Sequence, residues 1–170
     1  DASKNIIGYG DKYQLIEVMQ EYDSYCLVNM DGKIGIISKK DIKEIKGSFV
    51  AVDISTQRIY YYCNTDVAFR DRCTTGKKTT PTELGFFEPY GKGSSHDFGP
   101  KHNNVKAKIL WMPYNGGQGL HDADWEDDSN FGDYNYAMKH GSGGCVRLPD
   151  SAARFVYDNV PKSTKILVKQ

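Results

Sequence analysis

Apolar and polar positions alternate in short runs through the first forty-five residues. Tyr13-Gln14-Leu15-Ile16-Glu17-Val18, Tyr25-Cys26-Leu27-Val28 and Ile34-Gly35-Ile36-Ile37 each carry the near two-residue period of a half-buried strand. Between the last two stands Met30-Asp31-Gly32-Lys33, and an Asp-Gly pair between such runs predicts a tight hairpin turn. Residues 1–47 are therefore expected to form a small all-β unit. The pattern restarts after Lys46-Gly47-Ser48, which places a boundary there and a second domain over 48–170. Phe49-Val50-Ala51-Val52-Asp53-Ile54 and Arg58-Ile59-Tyr60-Tyr61-Tyr62 read as strands. A Thr/Gly/Lys/Pro cluster over 74–81 reads as a loop, and Gly85-Phe86-Phe87 resumes a strand. A polar segment over 90–104 precedes another strand, Lys108-Ile109-Leu110-Trp111-Met112. Helical spacing appears only near the C-terminus, in Ala152, Phe155, Val156 and Val160. Asp150 is the expected cap of a helix over 151–159 and Pro161 its limit, before a last strand at Lys165-Ile166-Leu167-Val168. The expected fold is mainly β, with one or few helices.

Composition narrows the function classes. With 22 acidic and 22 basic residues, the chain gives no electrostatic reason to expect nucleic acid or an anionic membrane as partner. No apolar stretch is long enough to span a bilayer, and the first ten residues lack the basic start and apolar run of a signal peptide. Cys26, Cys63, Cys73 and Cys145 contain no C-x-x-C pair and no zinc-ribbon spacing. Cys63 and Cys73 fall on two strands around a turn near Asn64-Thr65-Asp66. One lies near the turn and the other roughly 15 Å along the ladder at about 3.3 Å per residue, beyond disulfide reach. Free thiols, buried or half-buried, are expected. The acidic run Asp122, Asp124, Glu126, Asp127 and Asp128 has no metal-binding spacing beside His121 and reads as a solvated loop, so neither a metal nor a cofactor is expected.

The stretch Lys139-His140-Gly141-Ser142-Gly143-Gly144-Cys145-Val146-Arg147-Leu148-Pro149 carries the chemistry. Three glycines just ahead of one cysteine let a carbonyl approach the backbone closely, because no side chain fills that space. A thiol beside a base is a competent acyl-transfer nucleophile. A candidate base, His121, stands 24 positions upstream in Gly117-Gln118-Gly119-Leu120-His121. Arg147 offers a guanidinium for a carboxylate or, equally, one half of a structural salt bridge. Trp111, Trp125, Tyr114, Tyr134 and Tyr136 flank these elements and either pack or line a groove. His96 and His102 lie in the polar segment with no partner pattern and read as exposed or lid residues.

Taken together, the block from Trp111 to Pro149 resembles the catalytic core of the YkuD-type L,D-transpeptidases. Members carry Gly-x-Gly-x-His, here Gly117 to His121, and then Ser-His-Gly-Cys-x-Asn/Arg, here Ser142-Gly143-Gly144-Cys145-Val146-Arg147. The likeness extends to Thr75-Gly76-Lys77, to Thr80-Pro81 and to the final helix and strand, covering roughly residues 48 to 170. Gly143 departs from the pattern, since most members have histidine there; His140 is either a displaced substitute or an exposed loop histidine. Residues 1–47 resemble the later part of a bacterial SH3-like domain, as a wall-anchoring module or as a packing appendage.

The resemblance implies a β-sandwich or barrel and a secreted, monomeric enzyme acting on the cell wall, its export signal or anchor lying upstream. It implies Cys145 as nucleophile, His121 as base and the backbone around Gly143 and Gly144 as oxyanion donors. Arg147, Ser142, His140, Trp111 and Tyr134 are the implied substrate contacts. The substrate would be the tetrapeptide stem of peptidoglycan, cross-linked 3→3 through a thioester, with β-lactams of the carbapenem class acylating the same thiol. An L,D-carboxypeptidase, a cysteine endopeptidase and a non-catalytic wall-binding protein are the rival readings. His121 and Cys145 are expected side by side, near hydrogen-bond distance.

Overall fold

The structure, a computed structural model, describes residues 6–9, 13–30 and 32–170. Its first part is a five-stranded sheet of β1 (Ile6–Tyr9), β2 (Leu15–Glu21), β3 (Tyr25–Met30), β4 (Lys33–Ser38) and β5 (Lys43–Glu44), in the order β4-β3-β2-β1-β5 with antiparallel neighbours. Strands β3 and β4 pair from Tyr25↔Ser38 to Met30↔Lys33, the register a tight turn imposes; Asp31 of that turn lies outside the described residues. Alternation works as the pattern predicts. Ile16, Val18, Cys26 and Val28 point to one face and form a small core with Met30, Ile37 and Ile42 packed on it.

The second part is built on another five-stranded sheet, ordered β8-β7-β6-β15-β9. It comprises β6 (Phe49–Asp53), β7 (Arg58–Cys63), β8 (Asp66–Arg72), β9 (Gly85–Phe87) and β15 (Lys165–Lys169), with β6 and β15 parallel and the other neighbours antiparallel. Every residue of β6 is buried, because both of its faces are covered. Val50 and Val52 face the main core. Phe49 and Ala51 face the other way, joined by Leu167 and Ile45, with Tyr13 and Leu15 of the N-terminal part packed against them. The N-terminal sheet thereby covers the outer face of the larger one.

Across the main core lies a three-stranded sheet, β12 (Trp111–Asn115), β13 (Gln118–Asp122) and β14 (Val146–Leu148), together with α2 (Asp150–Asn159). Met112, Tyr114, Leu120, Val146, Leu148, Ala152 and Val156 meet Val50, Val52, Ile59, Ile166 and Val168 in one apolar cluster. The architecture is mainly β, as expected. Two helices are present among the described residues. Helix α2 starts at Asp150 itself, with Pro149 as its cap residue and no side-chain capping bond, so Asp150 contributes its charge to the first turn rather than a cap. The other, α1 (Tyr134–His140), was not indicated by spacing; Asp133 caps it by accepting from the N–H groups of Asn135 and Tyr136. The four cysteines are free, with Cys26 and Cys73 buried but Cys63 exposed, since it ends β7 at the tip of the β7–β8 hairpin.

Candidate active site

Strands β13 and β14 run parallel and in register, with His121 opposite Arg147, so the histidine element and the segment following Cys145 are fixed side by side by main-chain bonds. Cys145 sits one residue before β14, at the mouth of the glycine-rich loop that connects it to α1. Both side chains line one cavity of about 140 Å3, bounded also by Phe98, His102, Val105, Gly117, Trp125, Ser142, Gly143 and Arg147.

His121 is buried, at 3% exposure. Its Nδ1 lies 2.7 Å from the carbonyl oxygen of Asp122. A carbonyl only accepts, so Nδ1 carries the proton and Nε2 keeps the lone pair, which is the tautomer a base requires. Burial pushes the imidazole pKa down to about 4, outweighing the Asp122 carbonyl that favours the charged ring. Burial likewise raises the Cys145 thiol above its usual value. The Gly119 N–H and the positive charge of Arg147 oppose that rise. The resting pair is therefore a neutral imidazole and a neutral thiol. No hydrogen bond joins them; the thiol donates instead to the Gly117 carbonyl at 3.7 Å.

The loop's backbone is committed in an alternating way. Gly144 N–H donates to Ser142 Oγ at 2.9 Å, and Ser142 Oγ donates to the Cys145 carbonyl. Gly144 N–H is thus spent inside the loop, whereas the N–H groups of Gly143 and Cys145 have no partner among the described residues. Gly144 has φ 123°, and a Cβ there would meet Gln118 Nε2 at 2.6 Å; at Gly143 a Cβ would meet open space. The position where glycine departs from the motif is the one that tolerates a side chain.

Aromatic rings close the cavity. Phe98 stands 4.7 Å from His121 between ring centroids, and Trp125 5.9 Å away at 25°. Trp111, expected as a substrate contact, does not line the cavity; it lies 6.1 Å from His121 and has His96 stacked on it at 4.1 Å. Phe98 and His102 belong to the polar segment and Val105 directly follows it, the stretch lying against the site around the short pair β10 (His96–Asp97) and β11 (Lys106–Ala107). Phe98 and Val105 are wall residues that spacing did not reveal; the lone phenylalanine in a polar stretch was the available signal.

Arg147 reaches the cavity but is paired, its Nη1 3.1 Å from Oε2 of Glu126, whose side chain is 2% exposed. Ser142 lines the cavity with its hydroxyl committed to the loop. Tyr134 and His140 lie exposed on α1 and do not line the cavity; the His140 ring rests 5.3 Å from Tyr136. The acidic run is not uniformly solvated. Asp122 is fully buried and accepts from the N–H groups of Lys108, Ile109 and Leu110, which replace the water it gives up. No cluster of metal-ligating side chains occurs among the described residues.

A thiol and a tautomer-fixed imidazole thus share one cavity beside paired strands of a mainly β domain, an arrangement chemically capable of acyl transfer. The chain belongs to the L,D-transpeptidase catalytic-domain family, YkuD, whose model matches residues 47–168. The catalytic domain of the E. faecium L,D-transpeptidase is 29% identical, over 73% of this chain and 98% of its own, with a TM-score of 0.62. A longer Enterococcus faecium L,D-transpeptidase shares the fold over 98% of this chain and 75% of its own, at 23% identity and a TM-score of 0.67. An L,D-transpeptidase from Stackebrandtia nassauensis does so over 78% of this chain, at 24% identity and a TM-score of 0.62; the chain spans 60% of that relative's length. Among curated proteins none matches in sequence.

Proposed function

We propose that the protein is a peptidoglycan L,D-transpeptidase that forms 3→3 cross-links through a thioester on Cys145. The observation that carries this reading is the single cavity lined by both Cys145 and a histidine whose Nδ1 carries the proton, leaving the Nε2 lone pair to accept one. His121 takes the thiol proton as Sγ attacks the carbonyl carbon of the stem's third residue. The oxyanion is held by the N–H groups of Gly143 and Cys145. The C–N bond to the terminal D-alanine then breaks, its amine leaves with the proton from His121, and a thioester remains. An amine from a second stem attacks the thioester, the thiolate departs, and the proton released by the amine returns to the thiol through His121.

The E. faecium relative has been solved acylated by ertapenem, which supports carbapenem acylation of Cys145 here. Arg147, held by Glu126, acts on this reading through its charge beside the thiol rather than as a free carboxylate clamp. The same proposal takes residues 1–47 as an SH3-like unit and the enzyme's place as the cell wall, outside the membrane. Incubation with a disaccharide-tetrapeptide, followed by mass spectrometry of the products, tests it. A cross-linked dimer with release of D-alanine is expected. Trimmed tripeptide alone would assign an L,D-carboxypeptidase, and unchanged substrate a binding protein.

A further inference from the structure

The glycine-rich loop does not hold its shape by itself; it is gripped by the 74–82 loop. Thr74 and Arg147 exchange main-chain bonds, each N–H donating to the other's carbonyl at 2.9 Å, and Ser142 N–H donates to the Thr75 carbonyl at 3.0 Å. Two side chains add to this. The Thr80 hydroxyl donates to the Ser142 carbonyl at 2.8 Å, alongside the Lys77 N–H at 3.2 Å. The buried Thr82 hydroxyl donates to the Gly144 carbonyl at 2.9 Å and accepts the Gly76 N–H at 2.8 Å.

A trans peptide is planar, so its carbonyl and the following N–H point in opposite directions. Holding the Ser142 carbonyl toward Thr80 turns the Gly143 N–H the other way, and holding the Gly144 carbonyl toward Thr82 does the same for the Cys145 N–H. The intervening N–H, of Gly144, is drawn back into the loop by Ser142 Oγ. The lining of the cavity agrees: Gly143 and Cys145 contribute to it and Gly144 does not. We propose that Thr80 and Thr82 are positioning residues which hold alternate carbonyls of the loop away from the cavity and so build an oxyanion site from the Gly143 and Cys145 N–H groups. This rests on the acyl-transfer reading above. The threonines touch no reacting atom; they act through the two peptide planes. Thr82 matters more, since its target carbonyl has no second donor, whereas Lys77 also holds that of Ser142.

The test compares two reactions of the same thiol. Acylation by ertapenem develops an oxyanion; alkylation by iodoacetamide, a displacement at carbon with a halide leaving group, develops none. Both rates are read by mass spectrometry on the peptide bearing Cys145, because exposed Cys63 also alkylates. Thr82→Val should slow acylation by about 10- to 100-fold, up to the lower end of the loss caused by deleting an oxyanion donor, and leave alkylation of Cys145 within about twofold. Thr82→Ser, which keeps the hydroxyl, should restore acylation. Thr80→Val, whose hydroxyl supports no other buried group, should fold normally and show a smaller fall of the same kind. Equal loss of both reactions in Thr82→Val, with no rescue by serine, would make Thr82 a structural residue and overturn the inference. Unchanged acylation in both valine variants, with the unaltered protein acylated at Cys145, would overturn it and leave the acyl-transfer reading standing. An unaltered protein that ertapenem does not acylate would overturn both.

Discussion

His121 combines two properties that pull against each other: it is buried as a neutral ring, yet the proposed reaction requires it to accept a proton. An imidazole in the unfolded chain binds a proton below about pH 6.5, whereas folded His121 does so only near about pH 4. Between those values the unfolded chain holds the extra proton. The stability contributed by keeping this ring neutral is fully present above pH 6.5 and is lost as pH falls through the window toward 4, a change on the order of 3 kcal/mol. Denaturant unfolding of the protein and of His121→Gln at pH 7 and pH 4.5 measures it. The variant should lose markedly less stability between the two pH values. Parallel losses would show that the ring is not held neutral by burial.

At the scale of elements, the connection from α1 to β14 is where sequence departs from family pattern and where geometry is most demanding. Gly144, at φ 123° and pressed on Gln118, should not accept a side chain: Gly144→Ala is expected to lose thioester formation by 10²-fold or more, with about 1–3 kcal/mol of stability. Gly143→His, placed in open space, should fold with an unchanged melting temperature; a drop of more than a few degrees would contradict the open geometry. Much of this part was legible. The strands over 49–53, 58–62 and 165–168 and the helix before Pro161 follow from periodicity and spacing, and the two motifs from the family resemblance. Helix α1 did not, because seven residues with one buried side chain, Ala137, give no helical stripe to read; only its cap, Asp133, was visible. The covering segment was illegible for a different reason. Phe98 reaches the site through contacts with the rings of Trp111, His121 and Trp125, Val105 adds to the cavity wall, and β10 and β11 are two residues each. Asp122 misled in the opposite direction: a carboxylate in an acidic run reads as solvated until three main-chain donors are seen to enclose it.

For the whole molecule, the five-stranded β8-β7-β6-β15-β9 sheet separates two tasks. Phe49, Ala51 and Leu167 on one face receive Ile45, Tyr13 and Leu15, with Tyr62 stacked on Phe49 at 4.6 Å, so the N-terminal sheet serves to bury that face. Val50, Val52, Ile166 and Val168 on the other support Leu120 and Val146, the residues that flank His121 and Cys145 in sequence. The continuous apolar run of β6 was the trace of this two-sided cover. Apolar support from below and aromatic rings from above frame the cavity that Cys145 lines. The most direct measurement is therefore intact and peptide-level mass spectrometry of the protein mixed with disaccharide-tetrapeptide and quenched at early times, beside Cys145→Ala. A tripeptide thioester on the peptide bearing Cys145, absent from the alanine variant, is the predicted result. Release of D-alanine by the alanine variant, or an adduct on Cys26, Cys63 or Cys73 instead, would contradict it.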